Sequence, residues 1–317
     1  MSKIGIIGAG NHARNNIYPC LKHLNADITA ICTTKIESGE RVNQMFGLNA
    51  ELFNDVDAFL SSKLFDKAVV VLPGDAAASI TLKCLEKGYE VFCEKPCGMS
   101  LKEAEEVNDA QFEYGKGLQV GFMKRYAPVY RKVKEENELG SLCSFTSYFN
   151  VDASAFCKDD KDYFCFVGIH YLDLIRYLFG EIEDIKVMKS SGNGMSYLLQ
   201  MKTEDGVIGS LQLENRTAYT KECEGLKVTY ENGYVETEDL NRYMKHLSEN
   251  TPEGWKGLNE KETSYSVSEN PASGPYRDLY LRGFMGELES FINNEVRPNN
   301  ENLETTKLIE KILEALR

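Results

Sequence analysis

Residues 3–13 form a short apolar run that breaks at once into Gly8-Ala9-Gly10-Asn11-His12-Ala13. A GxGxxA turn that leaves a strand and opens a helix allows few folds. Gly8 permits the tight turn, and Gly10 lets a pyrophosphate approach the backbone. Ala13 is small enough for the helix to pack on a sheet, and the helix N-terminus presents N–H groups and the positive end of a dipole. The pattern predicts dinucleotide binding through Gly8, Gly10, Asn11, His12 and Ala13. A glycine-rich turn without a ligand is the alternative.

The theme recurs through the first third of the chain. Lys3–Ile7, Asp27–Cys32, Lys67–Leu72, Glu90–Cys93 and Leu118–Gly121 are short runs rich in apolar residues, and helical patterns separate several of them. Continuous β-branched runs such as Ala68-Val69-Val70-Val71 suit parallel strands covered on both faces. Helices are expected near Asn11, over Ala76–Lys87 and over Leu101–Tyr114, the last with Ser100 and Glu103 as a capping box. Alternating strands and helices predict a doubly wound parallel sheet. The predicted fold class is therefore α/β, with an N-terminal Rossmann domain over residues 1–122.

The texture changes after Phe122. A helix is predicted over Pro128–Glu138, followed by Ser144–Val151, Ile185–Met188, Met195–Thr203, Val207–Glu214 and Gly225–Tyr230, which alternate as antiparallel strands do. Asn232-Gly233 marks a hairpin. One helix, Ile169–Leu178, ends at Gly180. Residues 245–275 are polar and read as a long surface loop. Helices are expected over Leu279–Asn293 and Leu303–Leu316. Residues 123–317 thus form a C-terminal α/β domain with a large, open, mostly antiparallel sheet, assigned to substrate binding and oligomerisation.

Two domains also suit the 317 residues. The net charge of −13 argues against binding a phosphate backbone or an anionic membrane surface. Nine cysteines, with no CxxC pair, read as small buried hydrophobes kept reduced, and no metal is expected. No apolar stretch approaches the ~18 residues of a membrane span. The N-terminal apolar run is too short for a signal peptide, so a cytoplasmic location is expected.

Three further places carry chemistry. The second strand continues into Thr33-Thr34-Lys35, where a carboxylate would bind the ribose of NAD and repel the phosphate of NADP. Hydroxyls and a lysine there favour NADP over NAD, unless the loop is only a solvated connection. Leu72 and Pro73, past the third strand, line the same sheet edge. Glu94-Lys95-Pro96 follows the next strand. A lysine beside a nicotinamide and shielded from water can take the proton of a hydroxyl while hydride leaves carbon; a surface lysine has the same spacing. Gly168-Ile169-His170-Tyr171-Leu172-Asp173 opens the one helix of the second domain, where His170 is either a site residue or structural. His23 and His246 have no neighbours in sequence that suggest chemistry.

Taken in order, the GxGxxA start, Glu94-Lys95-Pro96, Gly121-Phe122-Met123-Lys124-Arg125-Tyr126 with Pro128, the GxHxxD stretch and the tail Glu287-Leu288-Glu289-Ser290-Phe291-Ile292 resemble the Gfo/Idh/MocA family. The resemblance implies an NAD(P)-dependent oxidoreductase acting on a secondary alcohol or ketone of a sugar, cyclitol or derivative. It implies that Lys95 is catalytic, that His170 acts with it, and that Arg125 lies near cofactor and substrate. It also implies a homodimer or homotetramer paired across the exposed sheet face. Two departures stand out. Phe166 occupies a position where the family often carries Asp, four residues before the histidine. Leu72-Pro73-Gly74-Asp75 replaces the usual stretch after the third strand. Tyr163, Tyr171 and Asp173, with Phe166, are the remaining substrate-side candidates. A non-catalytic dinucleotide-binding sensor of the same fold, or an enzyme for a non-sugar substrate, are the alternatives.

Overall fold

The computed structural model describes residues 2–192, 194–248, 260–267 and 276–317. Two compact units divide them. The first takes in the chain through Tyr126 and a later stretch ending at Lys307; the second begins at Ala127 and includes Leu308–Arg317. The sequence pattern alone places this boundary at residue 122.

In the first unit, β1 (Lys3–Ile7), β2 (Asp27–Cys32), β3 (Glu51–Phe53), β4 (Lys67–Val70), β5 (Glu90–Cys93) and β6 (Leu118–Val120) form one parallel sheet, ordered β3-β2-β1-β4-β5-β6. The order reverses between β1 and β4, and the crevice at the carboxyl ends of such strands is where ligands bind. All of β4 is buried, as its apolar run requires. The connecting helices are α1 (Tyr18–His23), α2 (Ile36–Phe46), α3 (Val56–Ser61), α4 (Gly74–Glu86) and α5 (Leu101–Tyr114). The capping box of α5 is formed. The Ser100 hydroxyl oxygen accepts the Glu103 amide, and the Glu103 carboxylate accepts the Ser100 hydroxyl and the Met99 amide. Sequence patterning did not mark β3, α2 and α3, because β3 is only three residues long and α2 buries little besides Gly39 and Val42.

The later stretch returns to this unit. The single helix expected over 279–293 is two, α9 (Arg277–Leu281) and α10 (Phe284–Asn293). Gly283 between them has φ +98°, a left-handed conformation that interrupts a helix and suits glycine. Phe284, Leu288 and Phe291 of α10 join the core that holds Ile4, Ile6, Tyr18 and Phe92. The buried ammonium of Lys67 donates to the Phe291 and Asn294 carbonyls and pairs with Glu90.

In the second unit, eight strands form one sheet, ordered β14-β13-β12-β11-β7-β10-β9-β8. They are β7 (Leu142–Val151), β8 (Ile182–Lys189), β9 (Met195–Thr203), β10 (Ile208–Asn215), β11 (Cys223–Tyr230), β12 (Gly233–Glu238), β13 (Arg242–Ser248) and β14 (Glu260–Ser266). β7 and β10 are parallel; the other pairs are antiparallel. Asn232-Gly233 turns β11 into β12 as expected. Helices α6 (Pro128–Lys134), α7 (Asp160–Tyr163) and α8 (Ile169–Phe179) complete the unit, and α11 (Glu301–Ala315) ends in it. Helix α8 packs on one sheet face, with Phe179 stacked on Phe145 and Tyr171 on Phe149. Tyr148, Met188, Leu198 and Ile208 are exposed.

The expected long loop over 245–275 is corrected where the chain is described. β13 and β14 pair antiparallel there, and residues 249–259 and 268–275 lie outside the described residues. Their polar character hid the strands. What holds them besides backbone pairing includes ionic and aromatic contacts, such as Lys245 with Glu136 and Glu138, and Tyr243 with Glu136 and Tyr265. The helix expected to reach residue 138 stops at Lys134. Among the described residues no helix is long and apolar enough to cross a membrane.

Candidate active site

The glycine-rich turn sits at the carboxyl end of β1, beside the point where strand order reverses. Gly8 has φ +119°, and a Cβ built on it would lie 2.2 Å from the Val71 carbonyl oxygen; only glycine fits. A Cβ on Gly10 would meet nothing within 4 Å, so that side of the turn is open. The Tyr18 hydroxyl donates to the Gly8 carbonyl, and the Arg14 guanidinium donates to the Ala9 carbonyl and the Asn11 side chain. Ala13 is fully buried. The turn therefore fits a pyrophosphate: one glycine forced by backbone crowding, one left bare, and a helical stretch beginning beyond them.

That stretch is not α-helical from the start. Ala13–Ile17 winds as a π-helix before α1 begins. Such widened turns cluster at functional sites. Asn11 and His12 are exposed on the turn. The His12 ring meets Phe284 edge-on, with centroids 5.7 Å apart, and its Nδ1 lies 3.1 Å from the Asn16 side-chain nitrogen. Its Nε2 is 3.0 Å from Glu94 Oε1, within ion-pair distance. The turn and the Lys95 segment are thereby joined.

Glu94, Lys95 and Pro96 follow β5 directly. Glu94 is buried, and its Oε2 accepts the Lys95 amide at 3.2 Å. The Lys95–Pro96 bond is cis. A Cβ on Gly74 would lie 2.8 Å from Pro96 Cγ and from Met99 Sδ, so the start of α4 packs tightly on this segment. Leu72 and Pro73 lie between β4 and α4, with Pro73 as the N-cap residue of α4. Arg125 follows β6 in a 3-10 turn, Met123–Tyr126. Its guanidinium pairs with Glu301 at 2.6 Å and lies over the Phe122 ring. In the same turn, burial pushes the Tyr126 hydroxyl up to about 12.

At the end of β2, Thr33 is buried and its hydroxyl donates to the Lys35 carbonyl. Thr34 and Lys35 are exposed. Of the Thr33-Thr34-Lys35 set, then, Thr34 and Lys35 present side chains to solvent, while the Thr33 hydroxyl ties the loop to itself.

The second unit carries the other candidates. Phe164–Gly168 forms another π-helical stretch and runs directly into α8, where His170 is the second residue. His170 is half-buried, its ring edge-on to Phe149. Phe166 is half-buried and edge-on to Phe156. Tyr163, Tyr171 and Asp173 are buried. Tyr163 stacks on Tyr197 and its hydroxyl has no hydrogen-bond partner among the described residues; burial pushes its pKa up. The Tyr171 hydroxyl lies 2.6 Å from that of Tyr130, and both donate to Glu224 Oε2. Burial foremost, then the Glu224 charge, raises both phenols well above their ordinary value. Tyr171 thus belongs to a buried polar network with Tyr130 and Glu224.

Sequence patterning missed Glu287. It lies on α10, fully buried, and neither carboxyl oxygen has a hydrogen-bond partner among the described residues. Burial, then the Glu94 charge, raises its pKa well above the ordinary carboxylate range, against a smaller opposing pull from Lys95. A signal was present: Glu287 sits three residues after Phe284 and one before Leu288, on the apolar stripe of the helix. Among the described residues no cluster of three or more His, Cys, Asp or Glu side chains is placed to hold a metal ion.

Known proteins fit this arrangement. Residues 2–122 match the family model described as the oxidoreductase family, NAD-binding Rossmann fold. An inositol 2-dehydrogenase from Pseudomonas fluorescens is 30 % identical over 185 residues, 56 % of this chain and 55 % of the relative. The chain spans about half the length, or less, of the curated relatives it matches. A dehydrogenase from Chromobacterium violaceum has the same fold at TM-score 0.85 and 21 % identity, over 99 % of this chain and 94 % of that one. A myo-inositol dehydrogenase from Lactobacillus casei, in complex with NAD(H) and myo-inositol, superimposes at TM-score 0.79 and 20 % identity over 99 % and 94 %. Residues 2–122 are thus similar to the NAD-binding Rossmann fold of the Gfo/Idh/MocA oxidoreductase family.

Proposed function

We propose that the protein is an NAD(P)-dependent oxidoreductase acting on a secondary alcohol or ketone of a sugar, cyclitol or derivative. One observation carries this reading. The open glycine turn and the Lys95 segment come together at the carboxyl edge of the parallel sheet, where His12 Nε2 lies 3.0 Å from Glu94 Oε1, within ion-pair distance though without a hydrogen bond. A dinucleotide cradle and a lysine side by side are what proton-coupled hydride transfer needs. Similarity to the inositol 2-dehydrogenase supports a polyol as substrate.

When bound, a nicotinamide dinucleotide supplies the acceptor or donor of hydride. Gly8, Gly10 and the amides after them hold its pyrophosphate. Lys95 takes the proton of the substrate hydroxyl during oxidation and returns it during reduction, a role worth about 10²–10⁴-fold in rate. His170 orients that hydroxyl, and Arg125, braced by Glu301, helps place cofactor and substrate. Thr34 and Lys35 favour NADP. Pairing as a homodimer or homotetramer across the exposed sheet face, and a cytoplasmic location, belong to the same proposal.

The test is a turnover screen of sugars, sugar phosphates and cyclitols with both cofactors, on the wild type and on Lys95→Ala. Lys95→Ala should abolish turnover while keeping dinucleotide affinity within a few-fold. Wild-type turnover by that variant would remove Lys95 from the chemistry. Phe166, in place of an expected carboxylate, favours a second reading, a dinucleotide-binding sensor. Tight dinucleotide binding with no turnover on any substrate would establish it.

A further inference from the structure

Phe149 on β7 and Glu224 on β11 stand directly opposite one another in the antiparallel pairing of those strands. Side chains so paired share a face of the sheet and reach the same neighbours. Here the shared neighbour is Tyr171, in the first turn of α8. The Tyr171 ring stacks on Phe149, with centroids 5.0 Å apart and planes 14° apart. Its hydroxyl donates to Glu224 Oε2 at 3.1 Å. One residue holds the ring and its cross-strand partner holds the tip, which leaves Tyr171 little freedom to tilt or slide.

Tyr130 of α6 reinforces the hold. Its hydroxyl donates to the same Glu224 oxygen at 2.6 Å and lies 2.6 Å from the Tyr171 hydroxyl, and the two rings meet edge-on with centroids 6.2 Å apart. Phe149, Tyr130, Tyr171 and Glu224 are all buried. Burial, then the Glu224 charge, keeps both phenols protonated, so each has a proton to donate. Glu224 is itself anchored through its backbone. Its amide donates to Asp239 Oδ1 at 3.2 Å, and its carbonyl accepts the Asp239 amide at 2.8 Å.

Phe149 also meets His170, the residue before Tyr171. Those rings lie edge-on, with centroids 6.4 Å apart and planes at 80°, a favoured aromatic geometry. A chain of contacts thus runs from Glu224 through Tyr171 and Phe149 to His170, all within the second unit. We propose that Glu224 is a positioning residue for His170: it pins Tyr171, Tyr171 holds the Phe149 ring in one orientation, and that ring sets the direction of the imidazole. The inference rests on reading His170 as the residue that orients the substrate hydroxyl. A misplacement of about 1 Å costs on the order of 10²-fold in rate, so fixing the imidazole matters to such a role. Tyr171 then serves the site through Phe149 and not by contact with substrate.

The experiment follows the His170 ring by NMR on the full chain with labelled histidine and no substrate. The chain has four histidines, and the signals lost in His170→Gln identify His170. The edge-on Phe149 ring should displace those signals from the position of a free imidazole, and Phe149→Leu should abolish the displacement. Glu224→Leu should lose most of it, because Tyr171 and with it Phe149 are released. Tyr171→Phe keeps the ring, removes only the hydroxyl, and should lose part of it. Glu224→Gln retains an oxygen acceptor and should keep the wild-type position. His23, in the first unit, should move in none of them. A network that only stabilises the fold would lower the denaturation midpoint of Glu224→Leu and Tyr171→Phe while leaving the His170 signals of the folded protein in place. That result overturns the proposal, as does a displacement that survives Phe149→Leu. Where Glu224→Leu does not fold, Tyr171→Phe decides. Wild-type turnover by His170→Ala would instead remove His170 from the chemistry and leave the packing link standing.

Discussion

The imidazole Nε2 of His12, in the glycine-rich turn, lies 3.0 Å from Oε1 of Glu94, the residue before Lys95. Two segments more than eighty residues apart in sequence meet there. If the contact couples them, His12→Ala and Glu94→Gln will not have independent effects. A double-mutant cycle on dinucleotide affinity and on unfolding should give an interaction energy of about 0.5–3 kcal/mol. Additive effects in both measurements would show that the contact carries no coupling.

The two glycines of the turn should fail differently. Gly10→Val projects into open space, so the variant should fold normally and lose dinucleotide affinity by steric blockage. Gly8→Ala meets the Val71 carbonyl and a left-handed backbone, and should cost about 1–3 kcal/mol of stability before any ligand is added. Calorimetric titration and denaturant unfolding separate the two. Unchanged affinity in a folded Gly10→Val would remove the turn from cofactor binding.

Cofactor preference is tested at Thr33. An aspartate there would repel the 2′-phosphate of NADP and accept a ribose hydroxyl of NAD. Thr33→Asp should shift the ratio of affinities toward NAD by about tenfold or more. Because Thr33 is buried and bonded to the Lys35 carbonyl, the variant must also be checked for stability. Wild-type protein that binds NAD as tightly as NADP would show that Thr34 and Lys35 do not read the phosphate.

Thiol chemistry should track burial. Burial, with the Glu287 charge, pushes Cys20 up to about 12, and burial pushes Cys84 up to about 12. Burial likewise pushes Cys32 and Cys165 up to about 11. For Cys93 the hydrogen bond with Cys97 leads, and burial comes second. Near pH 8, iodoacetamide should label Cys143 and Cys223 quickly and the others only after unfolding. Stability should carry the same signature. These thiols ionise near 9 when unfolded and higher when folded, so their contribution is intact below pH 9 and is lost toward pH 11–12. A flat stability curve over that window would contradict the burial.

Much of this architecture is readable from residue identity. The strand-turn-helix at Gly8, the capping box at Ser100 and the hairpin at Asn232 depend on local rules, and each is found where residue identity placed it. The polar strands β13 and β14 were not readable, because their partners are charged side chains distant in sequence. The pairing of His12 with Glu94 escaped for the same reason. Glu287 was hidden differently. A glutamate on an apolar stripe looks like an interruption until its burial is known. Nor did Tyr171 announce that its hydroxyl belongs to a buried network with Tyr130 and Glu224.

The return of α10 to the first unit has a consequence for biosynthesis. When a ribosome has polymerised Tyr126, all six strands of the parallel sheet exist, yet the carbonyls of Phe291 and Asn294 that receive the Lys67 ammonium do not. Gln119 still lacks the Glu287 carbonyl, and Leu118 still lacks Asn299. The nascent parallel sheet must wait, with the Lys67 ammonium paired to Glu90 alone and an apolar face uncovered, while the second unit's strands are translated. Completion of the first unit therefore follows translation of the second unit's strands, although its glycine-rich turn is made long before them.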